Sequence, residues 1–358
     1  MRAVVRRAGK LVCDEIADLE PGPGQTLVKT LACGICGSDL HALHHLDHMV
    51  ALGKRAGLGE GMDTSKDIVF GHEFCAEVLD NGPGGGRFKA GTRIVSMPVN
   101  LGADGFQAVG YSNVYPGGFA ERMVLTDALL LEVPNGLPTD TAALTEPFAV
   151  GLHAVASAAL EKDSVAVVLG CGPVGLAVIA ALKVRGHGPI IAADFSPRRR
   201  AAAEVMGADV VLDPATVSPF SKWEEFGVPA SAAGLREAMF SGRQVARPVV
   251  FECVGAPGVL QQVIDGCPPK GQIIVAGVCM EADKIEPSLA INKQLDLRFV
   301  LGYTPEEFGQ TLFHLAEGRI DGAKILTGSV GLDGVADAFV ALGNPEAQVK
   351  IMVHPEQA

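Results

Sequence analysis

The sequence has few aromatic residues and no excess of positive charge. Phe, Trp and Tyr make up 5% of the residues, and the formal net charge is -12. This negative balance disfavours sequence-independent binding to nucleic-acid phosphates, and the few aromatics offer no obvious surface for stacking on a sugar. The densest basic cluster is the triplet Arg198-Arg199-Arg200, which is typical of a solvated helix face. We therefore expect no nucleic-acid partner.

The sequence predicts no disulfide framework, no export signal and no membrane span. Of its eight cysteines only Cys33 and Cys36 form a close pair, unlike a small disulfide-stapled secreted domain. The basic N-terminus is not followed by the apolar stretch of a signal peptide. The segment Ser164–Val184 is long enough to span a bilayer, but its patterned glycines favour a buried strand leading into a buried helix. We therefore expect a soluble, cytoplasmic protein without a membrane partner.

Hydrophobic residues, by contrast, are abundant enough for two cores. They make up 48% of 358 residues, which suits two domains. The first part reads as short β-strands separated by Gly/Pro turns, and a helix is predicted over Thr139–Leu160, capped by Thr139 or Asp140. From Ser164 onward, wholly apolar strand candidates alternate with helices, as in a parallel sheet covered on both faces. The predicted fold is α/β: a mostly-β catalytic domain (1–147 and 294–358) and a doubly wound Rossmann domain (148–293).

A glycine-rich turn follows the first apolar strand of the second domain. The strand ending at Leu169 leads into Gly170-Cys171-Gly172-Pro173-Val174-Gly175 and then into a helix. In a dinucleotide site the glycines permit a tight turn, close approach of the pyrophosphate, and helix–strand packing, while the helix N-terminus attracts the phosphates. An ordinary strand–helix turn is the alternative. We predict cofactor contacts at Gly170, Gly172, Pro173, Val174 and Gly175.

Asp194 lies 19 residues after Gly175, where a carboxylate accepts hydrogen bonds from the adenosine ribose. The same charge repels a 2′-phosphate, so NAD is predicted over NADP. Arg199 could instead hold such a phosphate, and Asp194 could simply cap the following helix. Val254 and Val278 complete the predicted cofactor contacts.

A second set of motifs contains metal-binding residue types. Three segments carry them: CGICGSDLH at 33–41, GHEF at 71–74 and TEPF at 145–148. A catalytic zinc needs about three protein ligands with one position left open, and Cys36, His72 and either Glu73 or Glu146 would supply them. A structural four-cysteine zinc site and a redox dithiol are disfavoured, because there is no second CxxC and no thioredoxin-like context. Cys33 is interpreted as a small core residue.

In order and approximate spacing these motifs resemble, over essentially the whole chain, the zinc-containing alcohol and polyol dehydrogenases of the medium-chain dehydrogenase/reductase superfamily. The resemblance implies a GroES-like fold for the first domain. It makes Cys36 and His72 zinc ligands, Glu73 a ligand or close neighbour, and Glu146 the glutamate of the polyol and threonine dehydrogenase branch. Ser38 and His41 match the family's proton-relay positions, and Asp39 looks like the residue that orients the His72 imidazole.

Two departures from the family pattern affect these expectations. Many relatives carry four closely spaced cysteines for a structural zinc, but residues 96–118 contain none, so one zinc per chain is predicted. The segment between His41 and Gly71 is longer than expected, which we take to reshape the substrate pocket. His44, His45 and His48 in it could be extra ligands, although solvent-facing loop histidines are the preferred interpretation.

The resemblance implies an NAD-dependent dehydrogenase that oxidises an alcohol, with a secondary alcohol or polyol favoured, to a ketone or aldehyde. Zinc would act as a Lewis acid on the alcohol oxygen, and the active form would be a homodimer or homotetramer by analogy. Two alternatives remain: a zinc-free reductase resembling quinone reductases, and a non-catalytic nucleotide-binding protein of the same fold.

Overall fold

The computed structural model describes residues 1–59, 61–102, 105–134 and 136–357. The chain divides into two compact units. The first unit comprises Met1–Glu146, Phe308–Gly318 and Leu326–Ala358, and the second comprises Pro147–Glu307 and Arg319–Ile325. The chain rejoins the first unit later than the predicted residue 294, because a strand at Asp296–Phe299 still belongs to the sheet of the second unit.

Helices and strands follow one another along the chain in three parts. The N-terminal part contains β1 (Arg2–Arg7), β2 (Lys10–Glu15), β3 (Gln25–Gly34), α1 (Gly37–Arg55), β4 (Ile68–Val69), β5 (Glu73–Asn81), β6 (Arg93–Ser96), β7 (Val99–Gly102), β8 (Gly105–Ala108), β9 (Arg122–Thr126), β10 (Leu130–Glu132) and α2 (Thr139–Ala143). The middle part contains α3 (Thr145–Ser157), β11 (Val165–Leu169), α4 (Pro173–Val184), β12 (Ile190–Ala193), α5 (Pro197–Met206), β13 (Val210–Leu212), α6 (Ala232–Phe240), β14 (Pro248–Glu252), α7 (Val259–Gly266), β15 (Gln272–Val275), α8 (Pro287–Lys293) and β16 (Asp296–Phe299). The C-terminal part contains α9 (Pro305–Ala316), β17 (Leu326–Val330), α10 (Val335–Leu342) and β18 (Lys350–Val353).

In the first unit a central sheet runs in the order β10-β6-β5-β3-β18-β17, and β9 also pairs with β3. A smaller sheet, β2-β1-β4, and the hairpin β7-β8 complete the strands described there. Strand β3 alternates: Thr26, Val28 and Thr30 are buried while their neighbours are half-buried, which is the period of a strand with one face on the core. The end of β3 meets β5 on one side and β18 on the other, through Gly34 and Cys33, so three distant segments converge there.

The second unit is built on a parallel sheet in the order β13-β12-β11-β14-β15-β16. The strands predicted from wholly apolar runs are confirmed, and β12 and β14, for example, are buried along their whole length. Such strands lie between helices on both faces of a sheet. The chain leaves β11 and moves to β12 and β13, then returns to the other side of β11 at β14. This reversal creates a crevice at the carboxyl ends of the strands, where ligands bind in such folds.

Two local predictions were wrong. The helix predicted over Thr139–Leu160 is two helices, α2 and α3, separated at Leu144. Pro138 is the N-cap of α2, so neither Thr139 nor Asp140 caps it. Proline suits a helix start because its missing N–H would have no partner there in any case.

The stretch after His41 also differs from the prediction. Its first part, up to Arg55, is not a loop but the continuation of helix α1, which has a kink at His45. His44, His45 and His48 are exposed, as expected, but on this helix. The segment Ser164–Val184 consists of β11 and α4, and none of the described helices is long and apolar enough to cross a membrane.

Candidate active site

The metal-binding residue types of the first unit meet where β3 and β5 pair. Cys36 follows β3 and is the N-cap of α1, and His72 immediately precedes β5, whose first residue is Glu73. The Cys36 Sγ, a His72 ring nitrogen and a Glu73 carboxylate oxygen all lie within 4.8 Å of one another. Thiolate, imidazole and carboxylate are the donors that zinc takes in catalytic sites, so these residues fit a zinc ion.

Glycines allow the chain to bring these residues so close. Gly71, which sets the position of His72, has φ +102, and a Cβ there would stand 2.8 Å from Phe119 and 2.9 Å from the Cys33 sulfur. Only glycine takes this conformation without strain. A Cβ on Gly34 would collide with the Glu73 carboxylate. Cys33 is fully buried among these groups, which agrees with its interpretation as a core residue.

Asp39 links two members of the cluster. It is the third residue of α1 and is fully buried. One carboxylate oxygen accepts a hydrogen bond from the Cys36 backbone N–H at 3.0 Å, and the other lies 3.3 Å from His72 Nδ1. Burial by itself lowers the pKa of His72, but Asp39 and Cys36 outweigh burial and hold that pKa well above its usual value. Asp39 thus lies beside the imidazole that it is predicted to orient.

Lys350 was not identified from the sequence, yet it lies directly beside Glu73. Its Nζ donates to both Glu73 carboxylate oxygens, at 2.8 and 2.7 Å, and to the Ile35 carbonyl at 3.0 Å. Both side chains are 1% exposed. Burial opposes the charge on Lys350, but Glu73, then Cys36 and Glu146, raise its pKa, so Lys350 keeps its positive charge. The available signal was a lysine inside the apolar run Val349–Val353, where an unpaired charge is costly.

Glu146 is half-buried at the start of α3. Its effect on the pKa of Lys350 places it near the same charge. Within the described residues it does not join the compact cluster of Cys36, His72 and Glu73. The metal centre therefore has one carboxylate inside the cluster, paired with a lysine, and one carboxylate nearby.

The predicted proton-relay residues lie on α1. Ser38 and His41 are one helical turn apart and so share a face. Partial burial, and then His45, lower the pKa of His41. Tyr111, which no sequence motif marks, places its hydroxyl 3.0 Å from Ser38 Oγ and 2.8 Å from Asp39 Oδ1. Burial, followed by the charge of Asp39, raises the pKa of Tyr111 well above its usual value, so the hydroxyl keeps its proton.

The glycine-rich turn of the second unit has the geometry expected of a phosphate-binding loop. Gly170 has φ +83, Gly172 is the N-cap of α4, and Pro173 is its first residue, followed by Val174. A Cβ on Gly175 would collide with the Gly170 carbonyl oxygen. The backbone N–H groups at the start of α4 therefore stay accessible to an anion.

Asp194 stands beside this turn. Its carboxylate accepts hydrogen bonds from the Cys171 N–H at 2.7 Å and the Ser196 N–H at 2.8 Å. The nearest guanidinium nitrogen of Arg199 is 4.0 Å from the same carboxylate. Val254 and Val278, which follow β14 and β15, are about half exposed at the carboxyl edge of the sheet. The structure thus gathers the predicted cofactor residues at the crevice.

Comparison with known families agrees with both sites. The profile of the family described as "Alcohol dehydrogenase GroES-like domain" matches residues 22–135, and that of "Zinc-binding dehydrogenase" matches residues 173–317. The chain is 32% identical over 357 residues to (R,R)-butanediol dehydrogenase of Bacillus subtilis (strain 168), covering 96% of each chain.

Solved structures show the same fold. The crystal structure of 2R,3R-butanediol dehydrogenase from Bacillus subtilis has a TM-score of 0.78 and 30% identity, with 99% of each chain covered. A putative zinc-binding dehydrogenase from Sinorhizobium meliloti 1021, bound to NADP, has a TM-score of 0.79 and 26% identity, again with 99% of each chain covered. The GroES-like fold expected of the first unit is confirmed by these similarities.

Proposed function

Because the chain belongs to the family of zinc-dependent medium-chain alcohol and polyol dehydrogenases, we propose that Cys36, His72 and a glutamate hold one catalytic zinc ion per chain. The protein is an alcohol dehydrogenase that uses zinc and a nicotinamide cofactor. The observation that carries the zinc site is the closeness of the Cys36 and His72 donor atoms, which lie within 4.8 Å of each other and of a Glu73 carboxylate oxygen. A count of one zinc is supported by the lack of cysteines in residues 96–118.

We propose Glu146 as the third zinc ligand and Glu73 as a carboxylate that lies beside the metal without coordinating it. Both oxygens of Glu73 accept hydrogen bonds from Lys350, whose positive charge balances that of the carboxylate. A carboxylate so occupied has less electron density to give to a cation. Glu146 also contributes to the raised pKa of Lys350, and it stands where some members of the family have a cysteine ligand. Glu146→Gln should therefore lower zinc affinity more than Glu73→Gln.

The bound zinc supplies a Lewis acid that lowers the pKa of an alcohol hydroxyl. Asp39 holds the His72 ring, and Ser38 is placed to accept the proton that the alcohol loses. His41, one turn farther along α1 and exposed, passes this proton to solvent through its imidazole ring. A bound nicotinamide cofactor would supply the acceptor for the hydride that the alcohol carbon loses.

We propose NAD as the preferred cofactor. Asp194 presents a carboxylate beside the glycine-rich turn, where it attracts ribose hydroxyls and repels a 2′-phosphate. Arg199 favours the opposite outcome, since its guanidinium lies beside the same turn and its Nε has no hydrogen-bond partner within the described chain. The fixed hydrogen bonds of Asp194 to two backbone N–H groups keep its charge in place, which supports NAD.

For the substrate we propose a small secondary alcohol with a neighbouring oxygen, of the butane-2,3-diol kind. The support is the name of a relative with 32% identity over nearly the full length, and the glutamate at position 146, which matches the polyol branch. A zinc-free reductase and a non-catalytic protein are not favoured, because neither would need a cysteine, a histidine and a carboxylate clustered with a relay serine.

A homo-oligomer is also proposed. Strand β16 is at the edge of the parallel sheet in the described chain. Its last residue, Phe299, is 68% exposed, and Leu301 just after it is 82% exposed. Exposed apolar side chains at a sheet edge mark a site for pairing with another copy. Sedimentation of the wild-type protein and of Leu301→Lys would test this, since the charge should shift the distribution towards monomer.

The test of the proposed function is zinc content by elemental analysis, paired with NAD reduction on a panel of primary alcohols, secondary alcohols and diols. About one zinc per chain with turnover on a diol is expected. Cys36→Ser should lose both zinc and turnover while staying folded. Cys279→Ser is the matched control, because Cys279 is also half-buried but lies in the second unit. A zinc-free Cys36→Ser protein with full turnover would contradict the proposal.

A further inference from the structure

Tyr111 touches three residues of the metal centre at once. Its hydroxyl is 2.8 Å from Asp39 Oδ1 and 3.0 Å from Ser38 Oγ. Its ring stands against the His72 imidazole, with the ring centres 5.4 Å apart. It is therefore in contact with a predicted relay group, with a predicted metal ligand and with the carboxylate that orients that ligand.

The number of hydrogens fixes the direction of these hydrogen bonds. A tyrosine hydroxyl has one proton to donate, and the stronger acceptor of the two neighbours is the Asp39 carboxylate. The bond to Ser38 must then run the other way, with the serine hydroxyl donating to the Tyr111 oxygen. Ser38 thus keeps a lone pair free for the alcohol proton, and for each proton accepted its own hydrogen must leave the Tyr111 oxygen for the next group of the relay.

The loop that carries Tyr111 is held firmly to the strand before His72. The Gly117 N–H donates to the Val69 carbonyl at 2.9 Å, and the Gly118 N–H donates to the Gly71 carbonyl at 2.7 Å. Gly110 has φ +86, and a Cβ there would stand 3.0 Å from the Gly71 carbonyl oxygen. These contacts hold the backbone of the loop beside His72, and the Tyr111 ring packs against the rings of Phe70 and His72.

We propose that Tyr111 is a positioning residue for alcohol oxidation, which holds Asp39 against His72 and turns the Ser38 hydroxyl so that it accepts the substrate proton. The inference rests on the proposed function, since it assigns Tyr111 a role towards the zinc ligand and the relay. Without the tyrosine hydroxyl, the buried Asp39 loses one of its close donors, and the Ser38 hydrogen is free to point towards the substrate.

The experiment compares Tyr111→Phe with Tyr115→Phe in the zinc-loaded enzyme. Tyr115 is a matched control because it lies four residues along the same loop, and its hydroxyl accepts from Gln25 outside the metal centre. Tyr111→Phe should release zinc to a chelator about tenfold faster in the absence of substrate, as expected for loss of a group behind a metal ligand. Its kcat should fall at least about tenfold, with the KM for NAD unchanged. Tyr115→Phe should match the wild type in its rate of zinc release, its kcat and its KM for NAD.

A second variant tests the role through Ser38. In a Ser38→Ala background, Tyr111→Phe should still accelerate zinc release, but it should lower kcat much less than it does in the wild type, because residues that act together are not additive. Equal zinc release and kcat in Tyr111→Phe and the wild type would overturn the inference while leaving the proposed function intact. An equal acceleration of zinc release and an equal fall in kcat in Tyr111→Phe and Tyr115→Phe would overturn it too. A wild-type protein without zinc or turnover would overturn both.

Discussion

The dinucleotide turn and the metal centre are built in different ways. The turn takes its shape from one short stretch, Gly170–Gly175, between a strand and the helix that follows it. The metal centre instead draws on segments far apart in the chain: Cys36 and Asp39 on α1, His72 and Glu73 at β5, Tyr111 on a loop and Lys350 on β18. A local site depends on backbone conformation, whereas an assembled site depends on the pairing of buried charges. Substitutions in the two sites should therefore affect different properties of the protein.

The largest effect is expected from Lys350→Met. It leaves the Glu73 carboxylate buried without its partner, and removing one member of a buried ion pair costs about 3–5 kcal/mol. We therefore expect the free energy of unfolding of the zinc-free protein, measured by urea denaturation, to fall by this amount.

Lys324→Met is the control for this variant, because Lys324 forms an exposed pair with Asp321 at 3.8 Å, for which a change below about 1 kcal/mol is expected. The double variant Glu73→Gln/Lys350→Met should recover much of the lost stability, since no unpaired charge remains. A Lys350→Met protein as stable as the wild type would show that the assembled site does not depend on this pair.

In the dinucleotide turn the matching change is Gly175→Ala. The added methyl group meets the Gly170 carbonyl oxygen, so the turn must shift and the KM for NAD should rise by more than about tenfold. Zinc content should stay at the wild-type value, because the metal centre belongs to the first unit. Gly53 lies in α1, and a Cβ there would meet nothing within 4 Å. Gly53→Ala should therefore leave the KM for NAD and the zinc content unchanged. Loss of zinc in Gly175→Ala would show that the two sites are not independent of each other.

A smaller effect, confined to cofactor choice, is expected from Asp194→Asn. The amide oxygen still accepts one backbone N–H, but the negative charge beside the ribose is gone. The preference for NAD over NADP, measured as the ratio of kcat/KM values, should narrow about tenfold. Asp209→Asn is a control, since Asp209 also accepts a backbone N–H, from Ile190, away from the turn. An unchanged ratio in Asp194→Asn would mean that this carboxylate does not face the ribose.

The same contrast explains what could be predicted from the sequence. The turn at Gly170 and the strands around it follow from local pattern, because apolar runs and glycines act through neighbouring residues. Cys36, His72 and a glutamate could be grouped by the donors that zinc prefers, and the order and spacing of the family motifs added support to that grouping. Lys350 and Tyr111 carry no motif, and their roles arise from pairing of β18 and of the 110–118 loop with distant strands. Helix α1 beyond His41 was missed because its histidines suggested an exposed loop.

The smallest expected effect concerns a contact at the end of the chain, which belongs to neither site. The His354 Nε2 lies 2.7 Å from the Asp140 carboxylate, and this bond raises the pKa of His354 above its usual value. A raised pKa in the folded state means that the pair stabilises the fold fully below the ordinary histidine pKa, and that this contribution disappears as the pH rises through the raised value. Because both side chains are partly exposed, the contribution should stay below about 1 kcal/mol.

Asp140→Asn should return the pKa of His354 towards the ordinary histidine value, as followed by NMR of its ring protons. It should also remove the part of the pH dependence of unfolding that lies between the two pKa values, while zinc content and the KM for NAD stay as in the wild type. An unshifted pKa would show that the carboxylate does not hold the ring in solution. If zinc were lost instead, the C-terminal strand that carries Lys350, four residues before His354, would transmit this contact to the metal centre, and the assembled site would extend farther than the residues that touch it.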